Sequence, residues 1–405
     1  MSACLSSPIT LLAACGGPVP GAAVDGSARE WAGSDLIGAL AAVPDPRKAR
    51  GVRHRLVTVL AAAVCAVLAG ARSYVAIAEW AHDLPVSVRL RLGIGRRAPS
   101  ESTFRRVLRS VDAQALDRIV SGWLAQRAAR QSASGHPVGE VGIRAIAVDG
   151  KTARGARGSD RTARHLFAAF DHLHGVVLGQ TQVEAKTNEI TVFAPLLDRI
   201  DITGTVITAD ALHTQDRHAL YLHERGAHYV FIVKGNRPAL HAQLAGLPWH
   251  DIPTAAGRRH KGHGRIESRT LKLTAINNGI AFPHARLAAQ ITRQRRPTTT
   301  RATTSGGWHT ETVYAVTDLG FGDIRADQLT AIIQNHWSIE NKLHWIRDVT
   351  FAEDHSQIRT GNGPAVMASL RNLAISRHRL AGSTNIAAAC RHTSRHPIRA
   401  TDLLI

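Results

Sequence analysis

Cysteine is scarce in this chain, and the few cysteines are too scattered to form a recognisable pattern. They stand at Cys4, Cys15, Cys65 and Cys390, and no two of them form a Cys-x-x-Cys pair. This spacing argues against a zinc ribbon and against the disulfide framework of a small secreted domain. A reducing cytoplasm is the simplest compartment for such a protein.

The sequence also lacks an apolar run long enough to cross a membrane. Residues 56–70 are almost wholly apolar, but about 15 residues fall short of the roughly 20 that a spanning helix needs. We therefore interpret this run as a buried core helix. Residues 12–15 resemble a lipoprotein cleavage box, yet no Lys or Arg precedes them and Ser6, Ser7 and Pro8 interrupt the apolar stretch. We expect neither export nor a membrane partner.

Acidic residues are few compared with basic ones. Lys and Arg total 50, Asp and Glu total 31, and the formal net charge is +19. Such an excess favours a polyanionic partner, most commonly nucleic acid. The abundance of Arg, Ala and Gly indicates GC-rich coding, which accounts for part of the charge. Charge alone therefore leaves a solvated basic surface as the alternative.

Composition and periodicity divide the chain into five predicted segments. Its 405 residues, 44% of them hydrophobic and 20% charged, suit a globular protein of two or three domains without internal repeats. The segments are a flexible tail over residues 1–30, an all-helical N-terminal DNA-binding segment over 31–135, the first part of an α/β core over 140–240, a β-rich insertion over 241–322, and a long helix with a helical tail over 323–405.

Two Arg-rich helices in the N-terminal segment are candidates for DNA binding. Residues 99–108 have the pattern of a capped helix start, and Ser110 and Asp112 suit the start of a second helix that runs to about residue 130. Two short helices with a tight turn are typical of helix-turn-helix readers. Arg105 and Arg106 would then contact DNA. The alternative is an ordinary helical pair with a wet basic face, and the sequence favours neither.

The middle of the chain has the element order β-β-β-α-β-α-β, which is the order of a ribonuclease-H-like fold. Three further strand-like pieces follow at 269–273, 287–291 and 312–316. The predicted strands of the core cover residues 143–148, 165–170, 176–183, 204–209 and 228–233, and the predicted helices cover 189–200 and 215–225.

Asp149 and Asp210 each stand directly after one of the buried strands. An acid at a strand end can be a simple turn former or helix cap. Two such acids on neighbouring strands, however, would converge beyond the strand termini. Carboxylates in that position can hold two divalent ions about 4 Å apart, the arrangement that neutralises charge during phosphodiester cleavage. Mg²⁺ prefers such hard oxygen ligands.

A third acid, Glu340, lies on a long helix predicted over residues 327–345. Apolar residues and His336 recur along it at three- and four-residue spacing, which predicts a face that packs on the sheet. Glu340 falls at the edge of that face. Arg347 lies on the same side, where it would contact a DNA phosphate, restrain the glutamate, or pair with it at the surface.

Other polar residues nearby compete for these roles. Asp348, Glu353 and Asp354 are rivals for the third acidic position on chemical grounds alone. His213 and His344 also lie near the acids. Because hard ions prefer oxygen ligands, we expect both histidines to be structural or DNA-facing.

Three stretches resemble the signatures of DDE insertion-sequence transposases of the ISAs type, the branch that includes the H-repeat-associated proteins. They are residues 146–152 around Asp149, residues 207–211 around Asp210 and residues 336–345 around Glu340. Shorter similar pieces occur at 229–236, 263–267 and 348–354, and the likeness extends over about residues 35 to 405.

The resemblance implies an α/β protein: a ribonuclease-H-like catalytic core with a β-rich insertion, preceded by an all-helical N-terminal domain. It selects Glu340 as the third acid. The implied cofactors are two Mg²⁺ (or Mn²⁺) ions, and our hypothesis is that Asp149 is shared by both ions while Asp210 and Glu340 each hold one.

The implied activity is metal-dependent strand cleavage at transposon ends, followed by strand transfer into target DNA. The expected partners are double-stranded DNA and a second copy of the chain in a synaptic complex, at the nucleoid of a bacterial cytoplasm. We expect phosphate contacts from Lys151, Lys234, Arg265 and Arg347, each of which has a solvated surface cation as its alternative. A non-catalytic, domesticated DNA-binding protein and a general metal nuclease remain the rival functions.

One position departs from the family pattern. The family usually has Arg six residues before the glutamate, and this chain has Gln334 there. A missing phosphate contact predicts a weaker grip on DNA unless Arg347 or neighbouring basic residues replace it. This departure leaves a decayed, poorly active copy as an open alternative.

Overall fold

A mixed sheet of nine strands runs through the centre of the molecule. The computed structural model describes residues 35–50, 52–133, 142–156, 163–184, 188–262, 264–277, 279–297 and 308–405, so the predicted tail over residues 1–30 lies outside it. The strand order is β3-β2-β1-β4-β5-β9-β8-β7-β6. The strands are β1 (Ala145–Ala153), β2 (Arg164–Asp171), β3 (Val177–Val183), β4 (Val206–Ala209), β5 (His228–Val233), β6 (Thr254–Gly262), β7 (Arg265–Ala275), β8 (Leu287–Pro297) and β9 (His309–Thr317).

The first five strands follow the order that the sequence predicts. β1, β4 and β5 are parallel neighbours, and β2 and β3 extend the sheet from β1 as antiparallel strands. A helix connects β3 to β4 and another connects β4 to β5. The short apolar runs of β4 and β5 are buried along nearly their whole length, as expected for parallel strands that are covered on both faces.

The β-rich segment continues the same sheet. β9 pairs antiparallel with β5, and β8, β7 and β6 follow in turn. The three strands predicted here are longer in the structure, and β7 and β8 reach 11 residues each. β6 was not predicted. It is mostly exposed and rich in Arg, His and Lys, so it has no apolar alternation by which the sequence would reveal a strand.

Helices cover both faces of the sheet. One face of β1, β4 and β5 packs against α7, α8 and α9, and the other packs against α10. In chain order the helices are α1 (Leu36–Ala41), α2 (Leu56–Leu68), α3 (Tyr74–His82), α4 (Val86–Arg91), α5 (Glu101–Ser110), α6 (Ala113–Ala133), α7 (Glu189–Leu197), α8 (Asp216–Glu224), α9 (Pro238–Ala245), α10 (Ala326–His336), α11 (Trp345–Val349), α12 (Gly363–Leu380), α13 (Ile386–Ser394) and α14 (Pro397–Asp402).

The N-terminal and C-terminal helices share one hydrophobic core, which the sequence analysis did not predict. α2 lies in this core, and every residue of the helix except Val57 is buried. Residues of α12 and the chain end at Leu404 belong to the same cluster. The apolar run over 56–70 is therefore a core helix, as predicted. Within the described ranges, no helix combines the length and the apolar character that crossing a membrane requires.

The two Arg-rich helices form, but the second is packed between other elements of the fold. α5 and α6 are joined by a tight turn in which Asp112 Oδ1 accepts hydrogen bonds from the amides of Gln114 and Ala115. α6 packs between β3 and α12, and its buried residues run from Ala115 to Ala128. The helix-turn-helix interpretation, which requires the second helix to enter the major groove, is therefore wrong. Arg105 and Arg106 on α5 are exposed.

The helix predicted over residues 327–345 is not continuous. α10 ends at His336, and a π-helical turn spans Glu340–His344 before α11 begins. The predicted packing face is nevertheless buried throughout, from Leu329 to Ile346. Arg379 of α12 donates from Nη2 to the carbonyl of Lys342 at 2.9 Å, which satisfies one acceptor of the irregular turn. π-turns of this kind often mark functional positions.

A buried ion pair fixes the segment after the π-turn to the sheet. The Arg347 guanidinium binds both carboxylate oxygens of Glu353 at 2.7 and 2.9 Å, and Glu353 also accepts from Arg371 at 2.8 Å. Arg347 donates further to Gln180 of β3 at 3.0 Å. Arg347 is fully buried, so the predicted phosphate contact of this residue is wrong, and its partner is Glu353 rather than Glu340.

Glu353→Gln should destabilise the protein strongly, because it leaves two buried guanidinium groups without a counter-charge. Removing one partner of a buried pair typically costs about 3–5 kcal/mol. The free energy of unfolding from urea titration would measure this loss. The control is Glu101→Gln, which breaks the more exposed pair with Arg105 and should cost at most about 1 kcal/mol. Equal losses in the two variants would contradict the importance of the buried pair.

A second buried polar chain links α10 to β4. Thr208 Oγ1 lies 3.0 Å from His336 Nδ1 and 3.2 Å from His172 Nε2. Burial lowers the pKa of His336 to about 4 and that of His172 to about 3, and repulsion between the two rings contributes to the latter. Both rings are therefore neutral in the folded protein near pH 7.

Acidification should weaken the fold through these histidines. Because their folded pKa values lie below the unfolded value of about 6.5, their stabilising effect is complete above pH 6.5 and is lost as the pH falls toward 4. Each proton contributes at most about 1.4 kcal/mol per pH unit. His336→Asn keeps a hydrogen-bonding group near Thr208 but does not titrate. Urea unfolding between pH 7.5 and 4.5 should show a smaller acid loss for this variant than for the wild type.

The comparison with the wild type cancels the opposite effect of Asp117 and Asp149, whose raised pKa values favour the folded state on acidification. His250→Asn is the matched control, since the His250 side chain is 82% exposed. If His336→Asn and His250→Asn show the same acid dependence as the wild type, the buried chain does not contribute.

Candidate active site

The register of two parallel strands places the first two acids side by side. Val148 of β1 pairs with Ala209 of β4, and this is the last pair between these strands. Asp149 follows Val148, and Asp210 follows Ala209. The two acids therefore occupy equivalent positions, one residue beyond the last pair of the two strands. Asp149 does not end its strand as predicted, because β1 continues to Ala153 through its pairing with β2.

Alternation along the strands aims both acids at the same layer of helices. Ala145 and Val206 face α10, and side chains two and four residues further along a strand point to the same side. Asp149 and Asp210 therefore face the layer that contains α10 and the π-turn. Asp210 Oδ1 also accepts the amide of Leu212 at 3.0 Å and caps a short 3-10 turn, so the predicted helix-cap role coexists with its position at the site.

The π-turn brings Glu340 and His344 to Asp149. His344 Nδ1 lies 3.0 Å from Glu340 Oε2 and 3.6 Å from Asp149 Oδ2. One ligand atom from each of these three residues lies within 4.8 Å of the others. Glu340 is largely exposed at 64% of its side-chain surface, whereas the His344 side chain is 3% exposed. The burial of His344 excludes the DNA-facing alternative for this residue and leaves the structural one.

Negative charge is crowded around Asp149. The pKa of Asp149 is raised to about 7, mainly by burial; the charges of Asp210, Glu189 and Glu340 act in the same direction, and a hydrogen bond from the Gly150 amide opposes them. For Glu340 the hydrogen bond with His344 is the main cause that holds the pKa below its ordinary value. A divalent cation would relieve this crowding, and the carboxylate oxygens are the donors that such an ion prefers.

Glu189 is a fourth acid beside the site that sequence reasoning missed. It stands at the start of α7, where its carboxylate contacts His165 Nε2 at 2.5 Å and His213 Nε2 at 3.1 Å. Burial would raise its pKa, but the hydrogen bonds with the two histidines outweigh burial and bring the pKa to about 2. The signal that could have found it is an acid in the first turn of the helix that follows β3.

Gly150 is required beside Asp149 because this acid–histidine group lies directly against it. A Cβ atom built on Gly150 would lie 2.5 Å from His165 Nε2 and closer still to the Glu189 carboxylate. The small residue after the first acid thus permits close approach of a side-chain pair, and the turn that the sequence suggested at this position does not form.

Lys151 and its partner occupy the floor of the site. Lys151 is buried, and its Nζ binds Asp348 Oδ2 at 2.7 Å. Its charge contributes to lowering the pKa of Glu340. Lys151 therefore balances charge inside the site, and a DNA phosphate could reach it only by displacing Asp348. Of the rival acids, Asp348 forms an ion pair with Lys151, and Glu353 forms one with Arg347.

A groove runs from Asp210 between α10 and the sheet. It has a volume of about 110 Å³, and Lys234 and Gln334 line it beside Asp210. Arg269 lies on its wall with the guanidinium 5.7 Å from the centre of the Trp337 ring. The position that departs from the family pattern therefore opens onto the same groove as several basic side chains.

The remaining predicted DNA contacts lie away from the acids along the chain. Arg265 begins β7 and approaches Glu267 at 3.7 Å. Arg105 pairs with Glu101 one helical turn away, and Arg106 donates to the carbonyl of Ser102. All three are exposed. The structure neither joins them to the acidic cluster nor buries them.

Comparison with known proteins identifies the family. The transposase DDE domain matches residues 140–377, and the DDE_Tnp_1-associated model matches residues 37–124. The chain is 29% identical to YncI of Escherichia coli O157:H7 over 358 residues, which cover 84% of this chain and 86% of YncI. It is 27% identical to the H repeat-associated YhhI of Escherichia coli K12 over 365 residues, which cover 84% of this chain and 89% of YhhI.

A solved structure is similar over most of the molecule. The piggyBac transposase synaptic complex with hairpin DNA aligns with a TM-score of 0.41 and 10% identity, covering 93% of this chain and 80% of that one. The family match alone, which covers more than half of the chain, decides the assignment. The chain belongs to the DDE transposases, in the branch of the H repeat-associated proteins.

Proposed function

We propose that this transposase cleaves DNA at transposon ends and transfers the freed strand to target DNA, with Asp149, Asp210 and Glu340 as its catalytic acids. The observation that carries the proposal is the convergence of Asp149 and Glu340 with His344 within 4.8 Å, beside Asp210 on the adjacent strand. We propose further that β1–β5 with α7 and α8 form a ribonuclease-H-like core, because their order and pairing follow that arrangement.

The acids would hold two divalent ions, Mg²⁺ or Mn²⁺, which when bound neutralise charge on the attacking and leaving oxygens. Asp149 and Asp210 are held on the rigid end of a strand pair, so their carboxylates keep a fixed spacing. Glu340 is held from the opposite side by a helix whose inner face is buried. The three side chains can thus orient a scissile phosphate without large movement of the backbone.

Both chemical steps can use the same acids. Water attack at the element's end breaks a phosphodiester and leaves a 3′-hydroxyl. That hydroxyl then attacks a target phosphodiester, and one bond forms as one breaks, so no covalent protein–DNA bond is needed. Lys151, which pairs with Asp348 at 2.7 Å, keeps its ammonium group near Glu340 during both steps.

The basic groove beside Asp210 is the proposed path of the DNA strand that leaves the acids. Lys234, Arg269 and Arg293 line it, and Arg265 lies further along the same strand as Arg269, on the same face. Glu267 pairs with Arg269 and Arg293 at 2.6 and 2.8 Å and fixes their orientation. Such contacts position the backbone of DNA without reading its sequence.

The partners follow from this chemistry. Two transposon ends must meet for strand transfer, so we propose a homodimer on double-stranded DNA at the bacterial nucleoid. The non-catalytic, domesticated alternative shares the basic surface but does not require the acids to converge. Their convergence therefore favours the enzyme.

Asp149→Asn should abolish cleavage and leave DNA binding intact. Ion binding stabilises the transition state by several kcal/mol, so strand cleavage with Mg²⁺ should fall by about a thousandfold or more. A labelled transposon-end oligonucleotide measures cleavage, and fluorescence anisotropy measures binding. The matched control is Asp198→Asn, whose carboxylate is 58% exposed and pairs with Arg225. It should cut at the wild-type rate.

The outcomes separate the rival functions. Cutting by Asp149→Asn at the wild-type rate would show that the acids are misassigned. Wild-type protein that binds the ends without Mg²⁺-dependent cutting would be a non-catalytic DNA-binding protein. Cutting without preference for transposon ends, and without strand joining, would identify a general nuclease.

Lys234→Gln should weaken DNA binding mainly through its salt dependence. Each lost phosphate contact lowers the slope of log K against log salt by about 0.9, and the loss should be similar for end and non-end sequences. Arg286→Gln is the control. Arg286 directly precedes β8, its side chain is 59% exposed, and it pairs with Asp323. An unchanged slope for Lys234→Gln would remove the groove from the DNA path.

A further inference from the structure

We infer that His344 is a nitrogen ligand of one catalytic metal ion, so that this transposase uses a mixed nitrogen–oxygen site and prefers Mn²⁺ to Mg²⁺. This inference rests on the proposed function, since it requires the acids to hold ions. It adds a ligand to the three carboxylates, and it identifies which of the two ions the site selects.

The distances around His344 suit a shared ion. Its Nδ1 lies 3.0 Å from Glu340 Oε2 and 3.6 Å from Asp149 Oδ2. Neighbouring ligands of a six-coordinate ion are about 3 Å apart when each bond is about 2.1 Å long. One edge of the cluster thus has the length of a ligand–ligand edge, and the other is a few tenths of an ångström longer.

A hydrogen bond to Glu340 alone does not account for the position of the ring. Nδ1 faces two carboxylates that belong to different elements, one on the π-turn and one on β1. The ring is 2% exposed, so neither solvent nor a DNA backbone reaches it from outside. A nitrogen that is buried between two catalytic carboxylates is best explained as part of what they bind.

Glu340 and His344 are four residues apart and share one face of their helical segment. Both residues belong to this single wide turn, which spans Glu340–His344, and both point toward Asp149. Leu343 within the same turn is fully buried, which anchors the turn against the core. This segment thus supplies two side chains to the same place beside Asp149.

A nitrogen ligand changes which ion the site prefers. Mg²⁺ requires hard oxygen donors and sheds water reluctantly. An imidazole nitrogen raises the affinity of a site for first-row transition ions relative to Mg²⁺. Among those transition ions, Mn²⁺ usually has the lowest affinity for a given site. Of the two ions proposed for this site, Mn²⁺ therefore suits three carboxylates and one imidazole better than Mg²⁺ does.

The test is pulsed electron paramagnetic resonance of Mn²⁺ bound to the full-length protein. A coordinated imidazole produces ¹⁴N modulation of the electron spin echo, and protein grown with ¹⁵N-histidine loses that ¹⁴N pattern. We expect the unlabelled wild type to show ¹⁴N modulation, and we expect protein labelled with ¹⁵N-histidine to show ¹⁵N modulation instead. Bound Mn²⁺ that shows no nitrogen modulation in the wild type would overturn the role of His344.

Two variants assign the nitrogen to one residue. His344→Asn can present its Oδ1 near the position of Nδ1, so it should retain Mn²⁺ but lose the ¹⁴N modulation. His165→Asn is the matched control, because His165 lies beside the same acids and contacts Glu189 instead. It should keep the modulation. If the modulation survives in His344→Asn and disappears in His165→Asn, the nitrogen ligand is His165, and the inference for His344 is overturned.

Affinity gives a second readout that does not depend on catalysis. The Mn²⁺ dissociation constant of His344→Asn, measured by calorimetry, should rise by about tenfold or more, the lower end of the loss seen when groups around a metal site are removed. Its Mg²⁺ affinity should change less. Equal loss for both ions would contradict the inference. Failure of the wild type to bind either ion would instead contradict the proposed function itself.

Discussion

Crowding of negative charge at the end of the β1–β4 pair is the constraint on which the rest of the structure depends. Asp149 and Asp210 follow the last paired residues of two parallel strands, and Glu340 arrives from the opposite side. Neighbouring carboxylates repel one another, and the pKa of Asp149 is raised mainly by burial and further by the charges of these acids. The fold must therefore hold the three acids near one another against their own electrostatics. A central sheet with helices on both faces can do so, because its strand ends cannot move apart.

Two buried polar networks flank the segment that contains Glu340. Before the π-turn, His336 is tied to β4 through Thr208. After it, Arg347 is tied to β3 and α12 through Glu353 and its neighbours. Buried polar groups of this kind are costly unless fully paired, so they contribute less to stability than to position. Their placement on either side of Glu340 indicates that position is their function.

Much of this site follows from the sequence, and the rest depends on contacts between distant residues. Asp149 and Asp210 were found because apolar runs ending in an acid have a local pattern, and the family motif then selected Glu340. His344 was expected to be structural or DNA-facing from the general preference of Mg²⁺ for oxygen, and the sequence does not reveal that its side chain is buried beside Glu340 and Asp149. The phosphate contact predicted for Arg347 was wrong because Arg347 pairs with Glu353, which also binds Arg371 of α12. No local pattern in the sequence reveals how α12 packs. Glu189 and the π-turn likewise arise from tertiary packing.

The departure from the family pattern at Gln334 can now be judged by its surroundings. Arg347, the residue that the sequence offered as a replacement, is enclosed in the core and cannot reach DNA. The groove that Gln334 lines, however, also contains Lys234, Arg269 and Arg293. A phosphate that passes Asp210 would meet these cations in the space where the family's arginine would extend. Under the proposed function, contacts with the DNA backbone at this point fall to these cations, of which Arg269 and Arg293 are also held by Glu267. The decayed copy therefore remains a separate hypothesis, which the cleavage assay of the wild type decides.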